Sequence, residues 1–390
     1  MITRSKLEKI SSKVRKGKDL STDDIQVIQE WRKLHNDLIY GWQSILKSRI
    51  STHNLKKKTT VARRLKRLPT IIDKLSRNSS NLSTMHDIAG CRIIFSSLED
   101  LNNFRNEIHK NSKFQYKLIS SEKYDYIKNP KNDGYRGIHD VYVYTGDRLY
   151  DKGLLGRNLE LKIEIQYRTY NQHIWATTVE TLGSLTQRNI KFKTADEDTV
   201  EYFKCCSEIL SRANEGLYSC LKDYSTAQLI IQYIILEART GIFKRLSLYK
   251  HGVALLNKYT EKKFYILSLN TEKSAEKPKL EVQSFSKSAD AIYHYNLIEK
   301  KVIENQFIDA VMVSTDLKKD LKKLFPNYFL KTKDFSEALV ASILLITTNA
   351  INVEYKNTLI RKYFFIFIRW LITNHQFTLQ RLSGIMKLRK

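Results

Sequence analysis

Cysteine, proline and glycine are all scarce in this chain, at 4, 4 and 13 of 390 residues. Cys91, Cys205, Cys206 and Cys220 are too few for a disulfide framework and make no C-x-x-C spacing, which excludes a disulfide-stapled scaffold and points to a reducing, cytoplasmic compartment. So little Pro and Gly beside 42% hydrophobic residues excludes collagen-like repeats and wholesale disorder. Long apolar runs are missing too. Tyr363 to Ile368, bracketed by Arg361, Lys362 and Arg369, falls far short of the roughly 20 residues a membrane span needs. It reads as a buried terminal helix, with an interfacial basic-aromatic anchor as the alternative, and no transmembrane segment is expected. The basic N-terminus lacks the apolar core of a signal peptide. Acidic residues are also short: 41 Asp+Glu against 67 Lys+Arg leave a net charge of +26, so an anionic partner is expected.

The positive charge is concentrated early. Residues 1–80 hold 20 Lys/Arg and 7 Asp/Glu, which is half of the whole excess. Ser21-Thr22-Asp23-Asp24 is a helix-start signal, and Ile25, Val27, Ile28, Trp31, Leu34 and Leu38 follow at near-helical spacing, predicting a helix near 22–48. Val61, Leu65, Leu68, Ile72 and Leu75 recur at steps of four and three and predict a second helix over 59–76, with Arg63, Lys66, Arg67 and Lys74 opposite the stripe and Arg64 at its edge. From 85 to 170 the period changes to two. Strands are expected at 88–95, 138–144 and 159–168, the last with Leu159, Leu161, Ile163, Ile165 and Tyr167 on one face. Its other face then carries Glu164, Gln166 and Arg168: a carboxylate, an amide and a guanidinium projecting together. Helical patterns return at 170–187 and 196–250, followed by strands at 264–270, 279–285 and 309–314 with a hairpin loop at 271–279. The expected class is α/β (α+β), a mixed sheet flanked by helices with a smaller C-terminal α/β region. The expected division is a basic extension over 1–20, one domain over 21–230 and a region of unknown role over 231–390.

The turn Asn129 to Arg136 holds Pro, Asn-Asp and Gly where a tight turn needs them, but also two lysines, an arginine and a tyrosine that a turn does not need. A phenol ring beside cations suits a base carrying phosphates. RRLKRLPTIIDKL (63–75), MHDIAGCRIIF (85–95), DYIKNPKNDGYRGIH (125–139) and IEIQYRTYNQHIWA (163–176), in that order and spacing, resemble the synthetase domain of the RelA/SpoT family. The resemblance covers roughly residues 20–230 and implies a nucleotidyltransferase-like fold.

Members of that family move the β,γ-pyrophosphate of ATP to the 3'-hydroxyl of GDP or GTP, making (p)ppGpp and AMP. The resemblance implies that Arg64 and Arg92 sandwich the adenine, while Lys66, Arg67 and Lys74 face the phosphates. Asp87 and Glu164 correspond to magnesium ligands, with Glu164 also preparing the acceptor hydroxyl as general base. Tyr135 corresponds to the guanine-stacking ring, and Lys131, His139, Gln166 and Arg168 to its companions at the acceptor. Trp175 reads as a core residue. Gly137, where a serine is frequent, and ATTVETLGSL after Trp175 depart from the alarmone synthetases. The family's toxin-type members pyrophosphorylate the 3'-CCA end of tRNA, and the basic front of the chain would suit that polyanion. An inactive nucleic-acid or ribosome-binding module is a further alternative. A regulatory or antitoxin protein is an expected partner, and residues 231–390 read as a regulatory or partner-sensing unit, with structural support as the alternative.

Overall fold

The computed structural model describes residues 2–53, 55, 59–77, 80–110, 115–120, 122–146, 153, 155–156, 159–186, 197–243, 264–270, 279–287, 290–291, 293–294, 297–298, 308–314 and 332–353. The chain divides into two units, one of residues 1–129 and 137–170, the other of residues 130–136 and 171–390.

The first unit begins with α1 (Arg4–Arg15) and α2 (Thr22–Thr52). Residues 4–15, within the stretch expected to be a basic extension, bury Leu7, Ile10, Ser11 and Val14, and Ser11 Oγ accepts the Leu82 amide at 2.9 Å. The predicted start of α2 is a capping box. Ser21 Oγ accepts the Asp24 amide, and Asp24 Oδ2 accepts the Ser21 amide at 3.0 Å. Ile28, Trp31, Leu34, His35, Leu38, Ile39 and Trp42 are buried along this helix, the stripe that the sequence spacing announces.

The helix predicted over 59–76 is instead a strand and a shorter helix. β1 (Thr59–Leu65) pairs antiparallel with β2 (Ala89–Phe95) along its whole length, and α3 (Leu68–Arg77) follows. The β-branched run Thr59-Thr60-Val61 favours the strand, and Pro69, which cannot donate a backbone hydrogen bond, fits the first turn of a helix. Val61, Leu65, Leu68 and Ile72 pack against one core, so a step-of-four stripe is satisfied by two elements. After α4 (Leu98–Lys110) and β3 (Tyr116–Ser120) come β4 (Ile138–Tyr144) and β5 (Lys162–Thr169). The sheet order is β1-β2-β5-β4-β3, with β2 and β5 parallel and the other pairs antiparallel. Ala89, Cys91, Ile93, Phe95, Ile163, Ile165 and Tyr167 form the buried face.

The second unit holds α5 (Tyr170–Thr186), α6 (Glu197–Glu215) and α7 (Thr226–Thr240), so within its described residues, 197–243, the helical run expected over 196–250 is two helices, the first ending before Gly216, where φ is 64°. The boundary expected at 230/231 falls inside α7. A second sheet of order β7-β6-β8 is formed by β6 (Phe264–Asn270), β7 (Lys279–Phe285) and β8 (Ile308–Ser314), at the expected positions. α8 (Thr332–Val353) packs on α6, with Phe335 6.3 Å from Phe203 between ring centroids and Asn214 Nδ2 donating to Ser342 Oγ at 2.9 Å. The expected loop at 271–279 and the terminal apolar helix lie outside the described residues, apart from Lys279 in β7. No helix among the described residues is long and apolar enough to cross a membrane.

His35 is fully enclosed in α2. Its Nδ1 donates to the Trp31 carbonyl at 2.9 Å, Nε2 has no partner, and burial pushes its pKa down from 6.5 to about 4. A histidine that resists protonation only when folded contributes stability above the unfolded pKa, and that stability is lost as pH falls from 6.5 toward 4. Between pH 7 and pH 5 this amounts to about 2 kcal/mol. Urea titrations of His35→Leu should show a pH dependence flatter than the unmodified chain by that amount. Identical slopes for the two proteins would contradict it.

Candidate functional site

Residues paired across neighbouring strands share a face of the sheet. In this register Arg64 lies opposite Gly90 and Gly90 opposite Glu164, while Arg92 lies opposite Gln166 and Gln166 opposite His139. With Arg168 two residues beyond Gln166, six of the expected site residues therefore stand on one face, the one turned away from Ile163, Ile165 and Tyr167. Gly90 contributes no side chain between Arg64 and Glu164, which leaves that position on the face open.

A connected polar network crosses three strands. Gln166 Oε1 accepts from Arg92 Nε at 3.1 Å and Arg168 Nη2 at 3.3 Å, and Gln166 Nε2 donates to Glu164 Oε2 at 2.6 Å. Two guanidinium donors at Oε1 settle the orientation of the amide. His139 Nδ1 meets Glu164 Oε1 at 3.0 Å. Burial raises the Glu164 pKa, but His139, Gln166 and then the charge of His86 outweigh it and hold the carboxyl well below its ordinary range.

Asp87 sits just before β2. Lys66 Nζ and Lys74 Nζ both donate to its Oδ2, at 2.9 and 2.8 Å, whereas Oδ1 is buried without a hydrogen-bond partner. The Lys66 amide donates to the Ile88 carbonyl at 2.8 Å and so fixes the end of β1 beside this carboxylate. Burial raises the Asp87 pKa, and Lys66 and Lys74 together pull it below its ordinary value. Burial lowers the Lys66 pKa, with Asp87 opposing. Burial lowers the His86 pKa, opposed by the charges of Glu164 and Asp87. Arg64 is exposed on its strand, and Arg67 is half-buried in the β1–α3 turn, where its carbonyl accepts the Ile71 amide at 3.0 Å.

Lys131 and Tyr135 fall in the second unit, as part of its segment 130–136. Tyr135 is 7% exposed, its ring 6.4 Å from Trp175 and the Lys131 ammonium 5.2 Å above it. Gly134 has φ 88°, and an added Cβ would come within 3.2 Å of Lys204, Ser207 and Trp175, so glycine is required there. Ser207 Oγ donates to its carbonyl at 2.6 Å. Trp175 is buried and donates to the Phe203 carbonyl at 2.8 Å.

Arg136 and Glu215 form an ion pair, each 3% exposed, and Gln172 Nε2 donates to Glu215 Oε1 at 2.9 Å. Sequence reasoning does not reach this pair, because its members are 79 positions apart with no shared motif. It also misses the ring contacts of Tyr124 with His86 and of Tyr126 with His139, each with centroids 5.4 Å apart. Their only sequence signal is the Tyr-x-Tyr spacing just before the turn.

Residues 63–182 match a family model described as a region found in RelA / SpoT proteins. The chain is 32% identical over 120 residues to a GTP pyrophosphokinase, YwaC, of Bacillus subtilis, covering 29% of this chain and 52% of that protein. It is 29% identical over 172 residues to a second, YjbM, of the same organism, covering 43% of this chain and 74% of that protein. The chain thus spans about half the length of the first relative and about three quarters of the second. A crystal structure of small alarmone synthetase 1 from Bacillus subtilis bound to its product pppGpp aligns with a TM-score of 0.38 at 22% identity, over 48% of this chain and 94% of that one.

Proposed function

We propose that this chain, whose residues 63–182 carry the region found in RelA/SpoT proteins, is an ATP-dependent pyrophosphotransferase that moves the β,γ-pyrophosphate of ATP to the 3'-hydroxyl of GDP or GTP in the cytoplasm. One observation carries the reading: Asp87 is clamped at one oxygen by two lysines and leaves the other buried and bare, just before β2, while the adjacent strand β5 carries a second carboxylate, Glu164, that is held ionised. Two lysines on one carboxylate, with a second carboxylate on the adjacent strand, suit a polyphosphate with its cation. The names of the relatives support the same chemistry.

Asp87 and Glu164 would hold magnesium. The bare Oδ1 fits a cation, and the described residues contain no group of three or more His, Cys, Asp or Glu that could hold a metal ion. Two carboxylates, with water and substrate phosphates completing the shell, is the usual magnesium arrangement. When bound, magnesium draws negative charge from the phosphates being transferred. Lys66 and Lys74 add positive charge to the same phosphates, and Arg64 and Arg92 flank the adenine. Glu164 accepts the hydrogen of the acceptor's 3'-hydroxyl, and His139 and Gln166 hold it ionised and oriented for that contact. Most of the rate gain then comes from alignment and charge neutralisation.

The excess of positive charge in residues 1–80 favours the tRNA 3' end as a second reading of the acceptor. Incubation with γ-labelled ATP and Mg²⁺ beside GDP, GTP or tRNA decides between them. Label on GDP or GTP is expected. Label on tRNA alone would replace the acceptor, and label on none would remove the enzymatic reading.

A further inference from the structure

Asp140 is a carboxylate set into an apolar face. It lies in β4 opposite Ile165, on the side of the sheet that carries Ile163, Ile165 and Tyr167 and away from Glu164, and it is fully enclosed. Acidic side chains are almost never that deep unless they are paired. Two residues of α4, one helical turn apart, answer it. Arg105 spreads a fork over both carboxylate oxygens, with Nε at 3.2 and 3.1 Å and Nη2 2.8 Å from Oδ1, and His109 Nε2 meets Oδ2 at 2.6 Å.

A buried ion pair adds little stability over apolar residues of the same size, so stability alone does not account for this one. The second carboxylate within reach of Arg105 shows what is held. Arg105 Nη1 stands 3.9 Å from Asp125 Oδ2, and Asp125, itself buried, accepts the Ile127 and Lys128 amides on Oδ1 at 3.1 Å. One guanidinium therefore faces the chain at 125 and again at 140. Between those positions the backbone closes on itself: the Tyr126 amide donates to the Gly137 carbonyl at 2.9 Å, the His139 amide to the Tyr124 carbonyl at 3.1 Å, and Asp125 bridges to Ile138. The interval 126–139 is drawn shut at its neck, with Arg105 at the two carboxylates that bracket it.

That interval belongs to the acceptor side of the proposed reaction. It contains Lys131 and Tyr135 of the expected acceptor set and ends in His139, whose Nδ1 lies 3.0 Å from Glu164 Oε1. Successive residues of a strand point to opposite faces, so a grip on Asp140 from one side fixes the aim of His139 on the other. The residues expected at ATP stand elsewhere, on β1, α3, β2 and the turn between β1 and α3.

We infer that Arg105 is a positioning residue for the acceptor: by holding Asp125 and Asp140 together it sets the neck of the interval 126–139 and the aim of His139. The inference rests on the pyrophosphotransferase reading and adds to it a residue that acts through Asp140 and His139.

The test uses the full chain with ATP, Mg²⁺ and GDP, and two variants. Arg105→Leu with Asp140→Leu removes both members of the buried pair at once, so neither charge is left without the other. Asp125→Asn keeps an oxygen for the two amides and removes only the charge that Arg105 faces. Each should melt close to the unmodified chain. Each should lower kcat/KM for GDP, about tenfold in the paired variant and about threefold in Asp125→Asn, and leave the KM for ATP unchanged. Trypsin should cut after Lys128 or Lys131, inside the interval, about tenfold faster in the paired variant, with cutting elsewhere unchanged. If the paired variant fails to fold, Asp125→Asn decides alone. Equal losses for both nucleotides, or an unchanged kcat/KM for GDP with unchanged cutting, would overturn the role. Should the unmodified chain transfer nothing, while the variants still weaken GDP binding in equilibrium dialysis and speed cutting inside the interval, the positioning role stands and the reaction assignment falls.

Discussion

Asp87→Asn is expected to lower kcat/KM for pyrophosphate transfer on the order of a thousandfold, about 4 kcal/mol of transition-state stabilisation, while the melting curve stays close to that of the unmodified chain. The side chain keeps its size, so packing around β2 is preserved. Its charge is lost where Lys66 and Lys74 converge on Oδ2 at 2.9 and 2.8 Å, and the amide leaves these two ammonium groups without their common counter-ion. The buried Oδ1 that fits a cation becomes an uncharged oxygen or an N–H donor, and neither offers the hard anionic oxygen magnesium prefers. Glu164→Gln should fall similarly, since its carboxylate is held ionised by His139 and Gln166 and an amide cannot take the hydroxyl hydrogen in the same way. Because both carboxylates have depressed pKa values, neither should produce an acid limb in the rate profile at or above pH 6. Turnover of Asp87→Asn within tenfold of the unmodified chain at millimolar Mg²⁺ would contradict the assignment.

Arg136→Leu is expected to destabilise the second unit by about 3–5 kcal/mol, the usual cost of removing one partner of a buried ion pair. The side chains of Arg136 and Glu215 are each 3% exposed, so the variant strands a carboxylate away from water without its guanidinium, while Gln172 Nε2 still donates to it. A double variant, Arg136→Leu with Glu215→Leu, should recover most of the loss, because paired removal leaves no uncompensated charge. Urea unfolding of the full chain followed by circular dichroism reads both. A single variant within about 1 kcal/mol of the unmodified chain would show that the pair does not fasten segment 130–136 to α6.

Period-two alternation makes β5 readable in the sequence, and the same alternation places Glu164, Gln166 and Arg168 together on one face. The α2 start was equally readable, since Ser21 and Asp24 are a local device whose partners are three residues apart. Residues 59–76 misled because an apolar step of four is compatible with a strand and a helix contributing in turn to one core. Their basic residues therefore do not share a helical face: Arg64 lies on the face of Gly90 and Glu164, and Arg63 opposite Cys91 on the other. α4 could have been found from Ser97, whose hydroxyl accepts the Asp100 amide at 3.1 Å, with Leu101, Phe104 and Ile108 behind it. The ring contacts of Tyr124 and Tyr126 with His86 and His139 could not, because they join positions 86, 124, 126 and 139 through chain pairing that no local pattern encodes. The enclosure of Tyr135 has the same origin, being set by Trp175 and by the fastening of its loop to α6.

The most direct test of pyrophosphate transfer is to follow AMP release from ATP in the presence of GDP by mass spectrometry. One AMP should appear for each GDP that gains two phosphoryl groups, on its 3' side, and neither should form with Asp87→Asn. Release of ADP with a gain of one phosphoryl group, or of AMP with free pyrophosphate and unchanged GDP, would contradict it.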